Sequence, residues 1–408
     1  MTHKTGVFVF SVVAWLVSCT AASAQAVTET AGLSLSDTLT RLTAPLGSAA
    51  AGEAIGLATA LEVATTPFGT SSAGFAFKLD PATGLRVRTA TTFGPSFAER
   101  ALTSGEGKVS GSASLISATY QKLGDLSLEQ LRLGSVESGQ SSVARVGTMN
   151  LEMSSTTLVI GGTVGVTDGL DVGVSIPMVK VQVSGLSTLV TGAGTEILTT
   201  QGGGTSSGLG DIAAILKYRL LSFGDTQPDP GGLALLGIMR LPTGDKESLR
   251  GLGVTRTLVS LVFSSGQGRF RPHANAGFEA WSDGVDLVVS FDPRRPTIET
   301  RHQIQYAGGF ELEATPKLTL LMDVLGRHIL GGGKVGYQTQ TPTTPIGGVT
   351  SLESMVAMPE GIRKLTLAPG LKLNVKGNML VSLNVLTSLH DSGLHAPIVP
   401  VFGVDLTF

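Results

Sequence analysis

Twelve alternating runs, parted by breaks that are short and long in turn, constrain this chain more than any other feature. The runs cover residues 108–120, 151–166, 170–183, 210–221, 232–242, 254–264, 269–281, 302–313, 317–327, 363–375, 379–388 and 398–408. In one of them Ile212, Leu216, Tyr218 and Leu220 share a face while Asp211, Lys217 and Arg219 share the other. In another, Leu365, Leu367, Leu371 and Leu373 oppose Lys364, Thr366, Lys372 and Asn374. A period of two puts one face of a strand in an apolar medium and the other elsewhere. A soluble sandwich and a membrane barrel both satisfy that period, so the breaks decide. Thr167-Asp168-Gly169, Ser265 to Gly268, Ala314 to Pro316 and Gly377 are short; 184–209, 243–253, 282–301, 328–362 and 389–397 are long; 222–231 is intermediate. Counted back from Phe408, every long break falls at the same end. A sandwich has no reason to keep that parity, whereas transmembrane barrels have short periplasmic turns and long external loops. The fold class is therefore all-β: a transmembrane antiparallel up-and-down β-barrel of 12–14 strands.

Both termini agree. Phe402, Val404, Leu406 and Phe408 alternate up to a terminal aromatic residue. That resembles the C-terminal signature read by the barrel-assembly machinery of bacterial outer membranes, so deletion of Phe408 should impair insertion. At the front, Lys4, the apolar run Val7 to Val17 and Ala22-Ser23-Ala24 make a secretory signal peptide over residues 1–24. Leu16-Val17-Ser18-Cys19 also resembles a lipoprotein box, which would make Cys19 an acylation site. With cleavage after Ala24 the mature chain has no cysteine and no disulfide framework. No segment offers the roughly 18 unbroken apolar residues of a transmembrane helix. Charged residues are 15%, against about 25% in an ordinary soluble chain, and mean hydropathy is +0.28. A lipid-facing wall accounts for both. The net charge of −2 indicates no nucleic acid partner. Aromatic content of 5% promises only a thin interfacial girdle.

Two segments before the runs are open. Gly74 to Leu79 and Leu85 to Phe93 flank the turn-forming Asp80-Pro81-Ala82-Thr83-Gly84; adding this hairpin gives fourteen strands and keeps the parity. Residues 27–66 alternate weakly, and the spacing of Leu33, Leu35, Leu39, Leu42 and Leu46 reads as a short helix. Such a segment either plugs the lumen or is a disordered leader. The domains are then 1–24 signal peptide, 25–70 N-terminal segment and 71–408 barrel.

The chain carries no recognisable catalytic set, and neither a cofactor nor a metal site is indicated. Gly202-Gly203-Gly204-Thr205-Ser206-Ser207-Gly208 lacks the lysine of a phosphate-binding loop and reads as a flexible external loop. His390 and His395 with Asp391 are too few for a metal site. His273 and Asn275 share a strand face without a serine two residues from His273, so lipid hydrolysis is not indicated and His273 reads as wall lining. The inward set is where function would sit. Alternation assigns to it Lys217, Arg219, Arg240, Arg256, Arg269, Arg271, His273, Arg327, Lys364 and Lys372, against Asp171, Asp211, Glu279, Glu311, Glu313, Asp323 and Asp405. Mixed signs in a confined lumen predict cross-strand ion pairs rather than a filter for one sign of ion. On the same alternation Leu371 and Leu373 face lipid and Lys372 the lumen, so Lys372→Leu should be tolerated for folding.

Three segments stand out: Gly210-Asp211-Ile212 running into Lys217-Tyr218-Arg219-Leu220, Arg240-Leu241-Pro242-Thr243-Gly244-Asp245, and Arg271-Pro272-His273-Ala274-Asn275-Ala276-Gly277-Phe278. With Pro67 to Ser72 and Ser96 to Leu102 upstream, they resemble the outer-membrane transporters of the phenol-degradation meta-pathway family. The likeness covers roughly residues 60–408, and is similar in kind to the long-chain fatty-acid transporter barrels with their N-terminal hatch. It implies passive uptake of small hydrophobic or aromatic solutes, with outer-membrane lipid, lipopolysaccharide and the assembly machinery as partners. The alternatives are a closed barrel with a structural or adhesive role through its loops, and a general diffusion porin.

Overall fold

In a computed structural model, described over residues 32–67, 74–79, 86–88, 90–137, 143–190, 196–223, 231–266, 268–287, 298–340 and 352–408, twelve antiparallel strands close into a ring. They are β1 (Val109–Tyr120), β2 (Val143–Thr167), β3 (Leu170–Val190), β4 (Ala213–Phe223), β5 (Gly231–Arg240) and β6 (Arg256–Ser264), then β7 (Phe270–Trp281), β8 (Ile298–Thr315), β9 (Leu318–Gly331), β10 (Ile362–Lys376), β11 (Met379–Asp391) and β12 (Ile398–Thr407). Each pairs with its neighbour in the chain, and β12 returns to β1 from Val401↔Ile116 to Thr407↔Ser110. Closure leaves no ladder edge unpaired, as an environment without water requires. Every expected run coincides with one of these strands. The signal peptide and Cys19 lie outside the described residues.

The two faces of the wall separate as a membrane demands. Leu216, Tyr218, Leu261, Phe270, Tyr306 and Leu383 are about half exposed on the outer face, and Leu371 and Leu373 join them. Lys217, Arg256, Glu279 and Asp323 are completely buried on the inner one. The ring pairs Phe223–Phe263 and Phe270–Phe310, with centroids 6.3 and 5.0 Å apart, lie close to the short turns. They form a partial girdle on that rim.

The hairpin considered as two extra strands is not part of the wall. Phe77–Leu79 and Arg86–Arg88 pair only with each other. Its neighbours Phe75 and Phe93 pack with Leu380 at the turn rim. The seam between β1 and β12 is already filled, so the ring stays at twelve.

At the loop rim the wall continues beyond the ring. β2 and β3 stay paired as far as Val146↔Val190. Leu131–Glu137 is added beside β2, and Glu196–Leu209 beside β3. The glycine-rich stretch expected as a flexible loop is therefore a strand: Gly202, Gly203 and Gly204 pair with Gly185, Ser184 and Val183. Composition misled here, because those glycines serve close packing. A Cβ on Gly204 would stand 3.0 Å from Leu35. Part of the long break at 328–362 is likewise a hairpin, Lys334–Gln340 with Leu352–Met358.

These extensions form a cup, and two helices fill it. Helix α1 (Leu35–Thr43) starts at Ser34, whose hydroxyl accepts from Asp37 N at 3.0 Å, and it has Arg41 in its last turn. Leu35, Leu39 and Leu42, with Leu46 beyond the helix, form its buried stripe, as the leucine spacing predicted. Leu33 stands outside the helix and is exposed. Helix α2 (Ala49–Thr65) is rich in small residues and buried on nearly every side, as befits a helix apolar all round. At Gly52 the two helices touch: a Cβ there would lie 2.7 Å from Leu39 O and Thr40 Cα. Together they share one apolar core with Leu131, Leu133, Leu151, Val181 and Val183 of the cup. Residues 32–67 thus form a cap over the lumen.

Candidate functional site: a chamber between two closures

The first closure is this cap. Helix α2 points its C-terminal end into the barrel mouth, where its last carbonyls need donors. Wall arginines supply them: Arg256 Nη2 donates to Ala64 O at 2.8 Å, and Arg327 Nη1 donates to Thr65 O. Cations at a helix C-terminus also oppose its dipole favourably. One turn back, Glu62 pairs with both Arg327 and Lys364, the latter at 2.5 Å. Burial alone would raise the Glu62 carboxyl; Arg327 and Lys364 outweigh it and hold the group below its ordinary value near 4.5. Lys364 is shared with Asp391 at 2.8 Å.

The second closure has no regular structure. Residues 90–104 run across the lumen on the turn-rim side, so their backbone groups must find partners on the wall. They do so in order. Phe93 N donates to Thr319 Oγ1 (3.3 Å), Gly94 N to Glu311 (3.0 Å), and Phe97 N and Ala98 N to Asp323 Oδ2 (3.1 and 3.3 Å). Further on, Glu99 N donates to Asn275 Oδ1 (2.8 Å), Ala101 N to Ser264 Oγ (3.0 Å) and Ser104 N to Asp171 (2.9 Å). Carbonyls are met from the cationic side: Lys372 Nζ donates to Pro95 O at 2.7 Å, and Lys217 Nζ to Arg100 O at 3.4 Å. Lys217 also pairs with Glu99 at 3.1 Å, both buried. His273 Nε2 lies 2.7 Å from Asp323 Oδ1, with Glu311 4.0 Å from its Nδ1. Glycine at 309 makes room for this pair, because a Cβ there would stand 2.9 Å from His273 Nε2.

Between the closures lies a cavity of about 190 Å³. Thr65, Thr66 and Pro67 line it from the cap, Phe97 and Glu99 from the crossing segment. Its wall carries an apolar belt of Val159, Ile215, Leu236, Ile238, Leu258 and Leu325. Arg240, Arg256, Arg327 and Lys364 also line it, with Ser260, Asn275, Gln303 and Gln305. Glu279 lies behind two of the arginines. It pairs with Arg240 at 2.5 Å and Arg256 at 3.5 Å, and accepts from Trp281 Nε1 and Gln303 Nε2. Asp211 takes Arg256 Nη2 at 3.2 Å.

The inward residues of the sequence thus fall into three places. Lys217, Arg271, His273, Glu311, Asp323 and Lys372 hold the crossing segment; Arg271 does so through Thr91 Oγ1 at 3.2 Å. Arg256, Lys364 and Glu279 belong to the chamber and its roof. Arg219, Arg269 and Glu313 sit at the turn rim, where Arg219 Nη2 donates to Asp168 O at 2.8 Å, Arg269 O accepts from Glu313 N, and Arg269 is exposed. Alternation could not separate these sets, because depth along a strand leaves the period unchanged. Thr319 and Ser264 carried no chemical signal at all. Glu62 and Glu99 lie outside the alternating runs. In the terminal strand Phe402 and Phe408 are exposed on the outer face, with Val404 and Leu406 half-buried. His395 lies 3.8 Å from Asp391, which is already engaged by Lys364.

No family model matches the chain, and no curated protein matches it. Solved structures do. An outer-membrane channel from Pseudomonas putida F1 is 12% identical, with 75% of this chain and 97% of that one covered and a TM-score of 0.43. The toluene transporter TbuX of Ralstonia pickettii is 15% identical over 85% of this chain and 98% of its own, with a TM-score of 0.34. A FadL homologue of Pseudomonas aeruginosa is 12% identical over 85% and 98%, with a TM-score of 0.31.

Proposed function

We propose that this protein is an outer-membrane transporter for passive inward movement of small, largely apolar or aromatic molecules. The observation that carries the reading is the chamber with its apolar belt, set in an otherwise polar lumen between two separate closures. A solute would enter from the loop side as the cap loosens, rest in the chamber, and leave as the crossing segment yields or through the wall. No step needs an energy source, because a gradient drives it. A general porin needs a standing aqueous path, and two closures in series argue against one. In this reading the turn rim faces the periplasm, the cup meets lipopolysaccharide, and β12 carries the signal for the assembly machinery. The test is uptake of radiolabelled toluene by cells with and without the protein, beside conductance in planar bilayers. Faster uptake with near-zero resting conductance supports the proposal. A steady ohmic conductance without solute preference would make it a porin; neither uptake nor conductance would leave a structural barrel.

A further inference from the structure

The chamber carries more cationic chemistry than a purely apolar solute needs. We infer that it takes a small molecule with a ring-sized apolar body and one carboxylate, the acid group meeting Arg256 and Arg327. This rests on the transporter reading and names its substrate class.

Charge is the first argument. Four cationic side chains line the chamber, and the one carboxylate that does so, Glu99, is paired with Lys217 at 3.1 Å. The acids that balance the four cations are Glu62, Asp211, Glu279 and Asp391, and none of them lines the cavity. Among the described residues, the anionic partners therefore lie outside the cavity lining while the cations belong to it.

Unmet donors are the second. Arg256 is completely buried, yet its Nε has no acceptor and its Nη1 has only the 3.5 Å approach of Glu279. Arg327 Nε also has no acceptor. A buried donor without a partner is costly, and a carboxylate can take two such donors at once. A neutral hydrocarbon would leave them unmet, and a cation brings no acceptor for them. The negative end of α2 also faces the chamber, but Arg256 and Arg327 already bind its terminal carbonyls.

Size is the third. An apolar cavity of about 150 Å³ suffices for benzene. The 190 Å³ here adds room for an acid group beside the ring.

The experiment uses the full chain purified in detergent at neutral pH, with benzoate, benzyl alcohol and toluene as calorimetric probes. Benzoate should bind at least tenfold more tightly than benzyl alcohol, which has the same ring and no charge, and high salt should narrow the gap. Arg256→Gln should abolish the preference. Ser260→Phe, which fills the cavity without touching a charge, should abolish binding of all three. Heat-modifiable gel mobility reports whether each variant is folded, and the wild-type comparison decides even if neither is. Equal or tighter binding of benzyl alcohol or toluene overturns the carboxylate while leaving the transporter reading intact. Benzoate binding that survives in folded Ser260→Phe overturns the site. If no probe binds and toluene uptake is also absent, both readings fall together.

Discussion

The two closures of this barrel do the same work by opposite means. The cap is two helices whose leucines and small residues bury an apolar face in the cup, with a charged bolt at Glu62. The crossing segment has no helix or strand, and polar side chains of the wall satisfy its backbone one group at a time. The cap is held by burial, which is non-directional and tolerates sliding. The crossing segment is held by directional bonds, and each loss leaves a buried partner unmet. The cap should therefore move as a body, and the crossing segment should either hold or fail.

The sharpest way to break that contrast is Asp323→Ala. It removes the acceptor of Phe97 N and Ala98 N and the partner of His273, and deleting one member of a buried charged set costs about 3–5 kcal/mol. The temperature of gel-mobility conversion should fall, and a leak conductance should develop in bilayers. A silent bilayer would mean that the crossing segment does not close the lumen. In the cap, Leu39→Ala should cost about 3 kcal/mol through the cavity it leaves. Limited proteolysis should then cut ahead of Val109 while the wall keeps its heat resistance. If the wall melts too, the cap is integral to the barrel rather than seated in it.

A neighbouring pair on β10 separates wall from closure. Leu371→Arg places a charge in lipid, at about 2 kcal/mol for a site away from the midplane, and should lower folding yield in liposomes. Lys372→Leu leaves the outer face intact but frees Phe93 O and Pro95 O, so the barrel should fold and leak. Equal loss of folding yield from both would contradict the two-faced wall. The smallest expected effect is on pH. The Glu62 carboxyl is held below 4.5 in the folded cap, so its contribution is full above that value and fades as pH falls through the lower, folded one. Protease sensitivity of the cap should rise in that acid window, and Glu62→Gln should remove the dependence. An unchanged pH profile in Glu62→Gln would locate the acid response elsewhere.

The same contrast explains what could be read from the amino acids. The wall was legible because period-two alternation and loop parity are repeated around the whole ring, and each repeat confirms the others. Helix α1 was legible from its leucine spacing. The crossing segment was not. Thr91 to Ser104 has neither period, because its conformation is set by partners far away in the sequence, most of them more than one hundred residues on. Asp323 could be read as facing inward, but not as the acceptor for Phe97 and Ala98. The glycines of 202–208 were misread because the composition of a flexible loop is also that of a strand pressed against a helix. For the chamber, alternation supplied the cations; the arrangement that sets their acids behind them needed three dimensions.

The path of the chain has a consequence for how the molecule can be made. Thr65 to Pro67 stand at the cap, Gly74 is already beside Leu380 at the turn rim, and residues 90–104 lie inside before the wall begins at Val109. The described residues that precede the wall thus occupy both mouths of the ring, and the helical cap at the loop rim is too bulky to be drawn through a finished cylinder. The ring must therefore close no earlier than the cap and the crossing segment reach their places. Eleven of the twelve strand pairings can form with the cylinder still open, and the paired bonds between Phe408 and Val109 belong to the seam that joins the first strand to the last.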